Sequence, residues 1–218
     1  MHLKAAPKNF PALLKGIRAC RVCAKELPLE PRPIFQLDGR ARILITGQAP
    51  GTRAHEAGKP FLDPSGDRLR DWMGIDAETF YDKSRIAILP IGMCYPGRDK
   101  HGGDAPPRPE CAPLWHEPVQ AAMSNVKLHL LVGGYSQARY LGASAKSSLT
   151  ETVAAWREYL PHYLPLPHPS WRNNGWLKRH PWFAADLLPE LRKRVAKDRK
   201  STRLNSSHIQ KSRMPSSA

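Results

Sequence analysis

Four cysteines and one histidine are the side chains best suited to chemistry. Cys20 and Cys23 form a C-x2-C pair, and Cys94 and Cys111 follow with sixteen residues between them. Thiolates are soft metal ligands, and a C-x2-C pair can chelate. The second pair is too wide for the usual zinc ribbon, which uses two short pairs. A [4Fe–4S] cluster needs four thiolates and tolerates wide spacing. The expectation is a [4Fe–4S] cluster on Cys20, Cys23, Cys94 and Cys111, with zinc or four unliganded thiols as alternatives. Its role would be to staple chain segments rather than to do redox chemistry on a substrate. Structural disulfides are not expected in a reducing compartment.

His168 sits in His168-Pro169-Ser170, just past an apolar run ending in Leu166-Pro167. A neutral imidazole can donate one hydrogen bond to charge developing on a leaving group. A second stretch of interest is Gly47-Gln48-Ala49-Pro50-Gly51, directly after the β-formers Ile43-Leu44-Ile45. No strand or helix continues through such a loop, and open α/β sheets bind ligands at strand ends of this kind. Gly47, Gln48 and Ala49, with Gly92 beyond the next strand, are expected to line a pocket for a nucleobase. Phe61, beside Pro60, offers an aromatic face for stacking. Gln48 can orient a water but cannot take its proton. The nearest downstream carboxylate beside the pocket is Asp63, two residues after Phe61, which suits either a general base or the N-cap of a following helix.

Alternating strands and helices must position these groups. Arg42 to Thr46, Arg85 to Leu89 and Lys127 to Val132 read as buried strands, and a fourth lies within Trp156 to Pro167. Helices are expected over Phe10 to Ala19, from Pro64 through Trp72 with Gly74 as its stop, over Leu114 to Met123, from Gly134 to near Gly142, and over Trp182 to Val195. The alternation predicts an α/β protein: a three-layer α/β/α sandwich around a short, four-stranded, mainly parallel sheet. The span from Pro90 to Pro113 holds six prolines and four glycines. A loop that long is functional or stapled by a ligand. Residues 1–199 read as one domain. Residues 200–218 are Ser-rich and without apolar periodicity, and read as a non-native or disordered tail.

The formal charge is +15, with a pI near 10.0. The tail from Lys200 holds four basic and no acidic residues, so a strong excess remains without it. Such an excess points to a polyanionic partner, with nucleic acid foremost. Ser170, Trp171, Arg172 and Asn173, then Lys178 and Arg179, interleave aromatic and basic groups and suit stacking plus phosphate contact with DNA. Arg98, Lys100, His101 and the run from Arg192 to Lys197 are further phosphate candidates. No stretch approaches the ~18 apolar residues of a spanning helix. Met1 to Lys15 holds no apolar run of signal-peptide length. A monomeric cytoplasmic protein with no membrane partner is expected.

In their order, these motifs resemble the uracil-DNA glycosylase superfamily, and most closely its iron–sulfur branch, family 4. The elements that carry the resemblance are the C-x2-C pair, Gly47 to Gly51, Gly58-Lys59-Pro60-Phe61, Cys94, Cys111 and His168-Pro169-Ser170, across about Phe10 to Val195. The resemblance implies base excision repair. DNA containing uracil or another deaminated base is bound, the base is flipped out and hydrolysed off, and an abasic site is left by a monofunctional enzyme. The loop after the last motif probes the minor groove in these glycosylases, which assigns Trp171 or Arg172 to the gap left by the flipped base.

Two departures matter. Family 4 carries Glu where this chain has Gln48, and other branches carry Asp where it has Ala49. The catalytic carboxylate is then expected at Asp63. The same absence keeps a rival open, a catalytically silent or covalently trapping binder of damaged DNA. Family 4 also carries an Asn at the position of Pro90. A buried Asn rejects wrong bases by leaving its own groups unpaired. Its absence predicts a wider range of deaminated bases, with their edges read mainly by backbone groups.

Overall fold

The computed structural model describes residues 9–100 and 102–197. Four short apolar runs make the sheet: β1 (Ile43–Thr46), β2 (Ile86–Ile88), β3 (Leu128–Val132) and β4 (Tyr163–Leu166). Every pairing is parallel, in the order β2-β1-β3-β4. Ile43 lies opposite both Ile86 and Leu128, and Leu131 lies opposite Pro165. Strands buried on both faces lack polar alternation, which is why these runs read as continuous.

Successive side chains still part to opposite faces. Ile43, Ile45, Ile88, Leu130 and Leu166 join Trp72, Phe80, Trp156 and Phe183 in one core. Leu44, Ala87 and Leu89 join Leu13, Ile17, Val119 and Met123 in the other. Helices therefore cover both faces, and the expected α/β/α sandwich is the observed one.

The helices are α1 (Phe10–Arg18), α2 (Thr52–Ala57), α3 (Pro64–Met73), α4 (Ala77–Tyr81), α5 (Cys111–Ala122), α6 (Gly134–Leu141), α7 (Leu149–Ala154), α8 (Trp156–Tyr159) and α9 (Asn174–Arg179). A π-helical turn, Phe183–Leu187, leads into helical residues 188–197. Asp63 caps the start of α3, and Gly74, at φ 66°, caps its end as expected. Helix α5 begins three residues earlier than expected, so Cys111 is its first residue rather than part of a loop. Trp156 lies in α8, short of the strand. Helices of four to six residues, such as α2, α4 and α7 to α9, span too few turns to show a periodic stripe. No helix of the described residues is long and apolar enough to cross a membrane. The tail from residue 200 lies outside the described residues, as does His101.

A buried polar network braces the C-terminal edge of the sheet. His129 Nε2 lies 2.8 Å from Thr46 Oγ1. His116 Nε2 donates to the Pro90 carbonyl at 3.0 Å, and its Nδ1 accepts from the Tyr140 hydroxyl at 2.6 Å. The His129 ring meets Tyr140 edge-on at 4.3 Å. Burial pushes His116 down to about 4, with the Pro90 hydrogen bond opposing it and Arg139 adding to it, and burial pushes His129 down to about 3. Both are held neutral, while unfolded histidine takes its proton near 6.5.

Below pH 6.5 the unfolded chain therefore binds protons that the folded chain refuses, and stability falls with pH. Chemical denaturation at a series of pH values is expected to show a loss on the order of a few kcal/mol between about pH 6.5 and 4. Above about pH 5 the interval lies clear of ordinary carboxylates, so the upper part of the loss reports the histidines. A His116→Gln variant should show a shallower loss over the same interval.

Candidate active site

A cleft of about 420 Å³ opens at the C-terminal ends of β1, β2 and β4. It lies beside the point where the strand order reverses, the usual ligand position of an open parallel sheet. The first loop (Gly47, Gln48, Ala49), Phe61, Asp63 and His168 all line it, as expected. Pro90, Asp104 and Arg68 line it too.

Phe61 forms the aromatic shelf. A Cβ on Gly47 would lie 3.2 Å from Phe61 Cζ, so a side chain there would push the ring a few tenths of an ångström off the first loop. Phe61 adopts φ 54°, an unusual left-handed backbone for a bulky residue. Its carbonyl accepts from the Tyr81 hydroxyl at 3.1 Å and from Arg70 Nη1 at 3.4 Å. Lys59 Nζ sits 3.6 Å above the Tyr81 ring. Gly66, in the first turn of α3, makes the conformation possible, because a Cβ there would fall 1.8 Å from the Phe61 carbonyl oxygen.

The His168 tautomer follows from its neighbours. Ser170 N donates to His168 Nδ1 at 3.2 Å, so the neutral ring carries its proton on Nε2. Asn173 Nδ2 donates to the His168 carbonyl at 2.7 Å, and Arg68 Nη1 donates to the Ser170 carbonyl at 3.1 Å. Burial lowers the His168 pKa, while Asp63 and Asp104 pull it the other way. The imidazole is thus a fixed N–H donor rather than a cation.

Other expected residues are placed differently. Gly92 stands outside the cleft and lines the cysteine pocket instead. Its N–H donates to the Gln48 carbonyl at 2.9 Å, and Ile91 N donates to the Gly47 carbonyl at 2.9 Å. These donors extend the β1–β2 ladder and are not free to read a base. Gln48 lines the cleft, but its Nε2 donates to the carbonyls of Ala105 at 3.0 Å and Asp104 at 3.4 Å. Asp63 lines the cleft and also caps α3, with Oδ1 accepting from Gly66 N at 2.8 Å.

Asp104 was not marked by any local sequence signal. It sits in the Pro/Gly-rich span, and only the fold brings it to the cleft. Desolvation raises its pKa, with His168, Arg172 and Arg98 lowering it and Asp63 raising it.

The stretch after His168 divides. Ser170, Trp171 and Arg172 border the cleft, and the Trp171 side chain is 71% exposed, unusual for an indole. Asn173 turns back to hold His168. Lys178 and Arg179 are exposed at the end of α9, away from the cleft lining. Trp176 is half-buried, with Nε1 donating to Thr150 Oγ1 at 2.8 Å.

The four cysteines ring one small pocket between α1, the span after β2 and the start of α5. Met93 N donates to Cys111 Sγ at 3.4 Å. Burial pushes Cys94 up to about 11 and Cys111 up to about 12, and the neighbouring thiols add to both shifts. Four thiols lining one pocket are the donor chemistry that a thiolate-bound metal group would use once they are deprotonated. Among the described residues, no three or more His, Cys, Asp or Glu are arranged as a group that could hold a metal ion.

A family model described as the uracil DNA glycosylase superfamily matches residues 35–192, well over half of the chain.

The shelf yields a direct test. Gly66→Ala drives a methyl group into the Phe61 carbonyl and is expected to destabilise the protein by about 1–3 kcal/mol, as overpacking does. Urea denaturation measures it, and unchanged stability would show that the shelf relaxes without cost.

Proposed function

Because the chain belongs to the uracil-DNA glycosylase superfamily, we propose that it is a monofunctional DNA glycosylase of the iron–sulfur branch. It flips a uracil out of DNA, hydrolyses the N-glycosidic bond and leaves an abasic site. The observation that carries this reading is the His168 imidazole, fixed as an Nε2–H donor and facing the cleft that Phe61 roofs. A base inside a duplex is out of reach, so chemistry requires extrusion into a pocket. The extruded base stacks on Phe61 against the Gly47 backbone. Negative charge then grows on the base as the bond breaks, and a preset donor is strongest where charge develops. The sugar becomes cationic, and the Asp63 carboxylate favours it electrostatically while capping α3.

Pro90 stands where a side-chain amide would otherwise read the base edge. With the Ile91 and Gly92 N–H groups also committed, few donors discriminate between bases, and hypoxanthine or xanthine should be accepted beside uracil. Trp171, Arg172, Lys178 and Arg179 grip DNA, with Trp171 placed to fill the vacated stack. The protein acts as a cytoplasmic monomer.

Cys20, Cys23, Cys94 and Cys111 are the residues that would hold a [4Fe–4S] cluster, and zinc is the alternative ion for the same thiols. When bound, such a cluster supplies a rigid anionic cross-link between α1 and the Pro/Gly-rich span. The protein's own contribution is the Met93 N–H aimed at Cys111 Sγ, which favours a thiolate there.

Oligonucleotides bearing uracil, hypoxanthine or xanthine should become alkali-labile on incubation with the protein, and His168→Ala should slow single-turnover release about 10²–10³-fold. A shifted band without base release would favour a silent binder, and a denaturation-resistant complex would favour a trapping one. Strict cleavage of uracil alone would refute the relaxed range.

Metal analysis makes the second test. About four iron atoms per chain and a brown colour are expected of a [4Fe–4S] protein, and Cys94→Ser should lose both. One zinc per chain and no colour would establish the alternative.

A further inference from the structure

The Gln48 amide holds a hairpin. Its Nε2 bonds to the carbonyls of Asp104 and Ala105, which end a tight turn closed by a bridge between Arg98 and Asp104. Asp99 N donates to the Gly103 carbonyl at 2.8 Å, and Ala105 N donates to the Gly97 carbonyl at 3.0 Å. On the other side, Arg172 Nη2 donates to the Gly102 carbonyl at 3.0 Å. The first loop and the loop after β4 thus grip the same hairpin.

The hairpin delivers a carboxylate to the cleft. A Cβ on Gly51 would lie 3.7 Å from Asp104 Oδ2 and 3.9 Å from Oδ1, so the group rests against the first loop. It shares the cleft with His168 and Asp63 and interacts electrostatically with both. Among the described residues no hydrogen bond reaches the Asp104 carboxylate, whereas Asp63 Oδ1 is engaged by Gly66 N.

We propose that Asp104 is the carboxylate that activates the attacking water, and that Gln48 is the positioning residue that brings it to the site. The assignment rests on the glycosylase reading of the cleft. The water oxygen bonds to C1′ of the flipped deoxynucleotide as the C1′–N bond breaks. The bonding electron pair leaves with the base, whose charge is met by the His168 Nε2–H. Asp104 takes one proton from the attacking water, and the base anion later gains a proton from solvent. The first loop thereby contributes an amide that recruits an acid from 56 residues away.

A protonated carboxyl cannot accept that proton, so the rate falls as pH drops through the Asp104 titration. The groups facing it are Asp63, Arg98, His168 and Arg172. The test is single-turnover release of uracil across the acid-to-neutral range by wild type, Asp104→Asn, Asp63→Asn and Gln48→Leu, with DNA affinity and Tm measured beside it. Asp104→Asn is expected to lower the plateau rate about 10²–10⁴-fold and to abolish the acid limb, with affinity and Tm unchanged. Asp63→Asn keeps a good N-cap and should retain the limb at a reduced rate. Gln48→Leu should lose about 10²-fold, the cost of misplacing a reacting group, and retain the limb.

A wild-type rate, or a surviving limb, in Asp104→Asn overturns the assignment. A limb lost only in Asp63→Asn transfers the role to Asp63 and overturns it equally. An unchanged rate in Gln48→Leu removes the positioning role. A wild type that releases no base removes the glycosylase reading and this assignment with it.

Discussion

Two hydrogen bonds beyond the end of the sheet organise this molecule. Ile91 N to the Gly47 carbonyl and Gly92 N to the Gln48 carbonyl, each 2.9 Å, carry the β1–β2 pairing into the loops. The chain on either side of them is tied down at every step. The Pro90 carbonyl accepts from buried His116, the Met93 carbonyl accepts from Ile34 N at 2.7 Å, and Met93 N reaches Cys111 Sγ. Four consecutive residues, Pro90 to Met93, therefore link the cleft floor, the buried histidines and the cysteine pocket. The cysteine pocket and the Gln48 backbone are thus joined by one short peptide segment.

The cleft combines this rigid floor with a strained wall. Phe61 holds a left-handed backbone that costs on the order of 1–3 kcal/mol. The cost is tolerated because Tyr81, Arg70 and the absence of a Gly66 side chain all act on the same carbonyl. The opposite wall is built differently. His168 is aimed by Ser170 N and Asn173, with no unusual backbone. Stacking needs a fixed plane and charge stabilisation needs a fixed donor, and each is secured by hydrogen bonds from the backbone or from neighbouring side chains.

The sheet was legible because its strands are uninterrupted apolar runs, and the caps at Asp63 and Gly74 were legible because their chemistry is local. Gly47 and His168 were readable for a related reason, since each closely follows a strand that the pattern marks, and Phe61 stands just before a helix that it marks. Gly92 was misplaced by counting forward from β2. The ladder continues past the strand, so Pro90 meets the cleft and Gly92 faces the cysteines. Asp104 gave no signal, because its position depends on hydrogen bonds to Gln48 and on a hairpin whose own sequence is simply rich in glycine and in charges of both signs. The helical start of α5 at Cys111 was hidden by the prolines around it.

The margins of the sheet carry one more consequence. On the β2 side, Gln36 exchanges hydrogen bonds with Ile88 at 2.9 and 2.6 Å and caps Phe80 and Ile86 carbonyls with its amide. On the β4 side, Gly133 N pairs with the Leu166 carbonyl, which turns the neighbouring Pro165, lacking an N–H, outward. Among the described residues the β2 margin is thus already paired, and the β4 margin carries a proline that can donate nothing to a further strand. A chain pairing edge to edge with this sheet would have to displace Gln36 on one side and would meet a proline on the other.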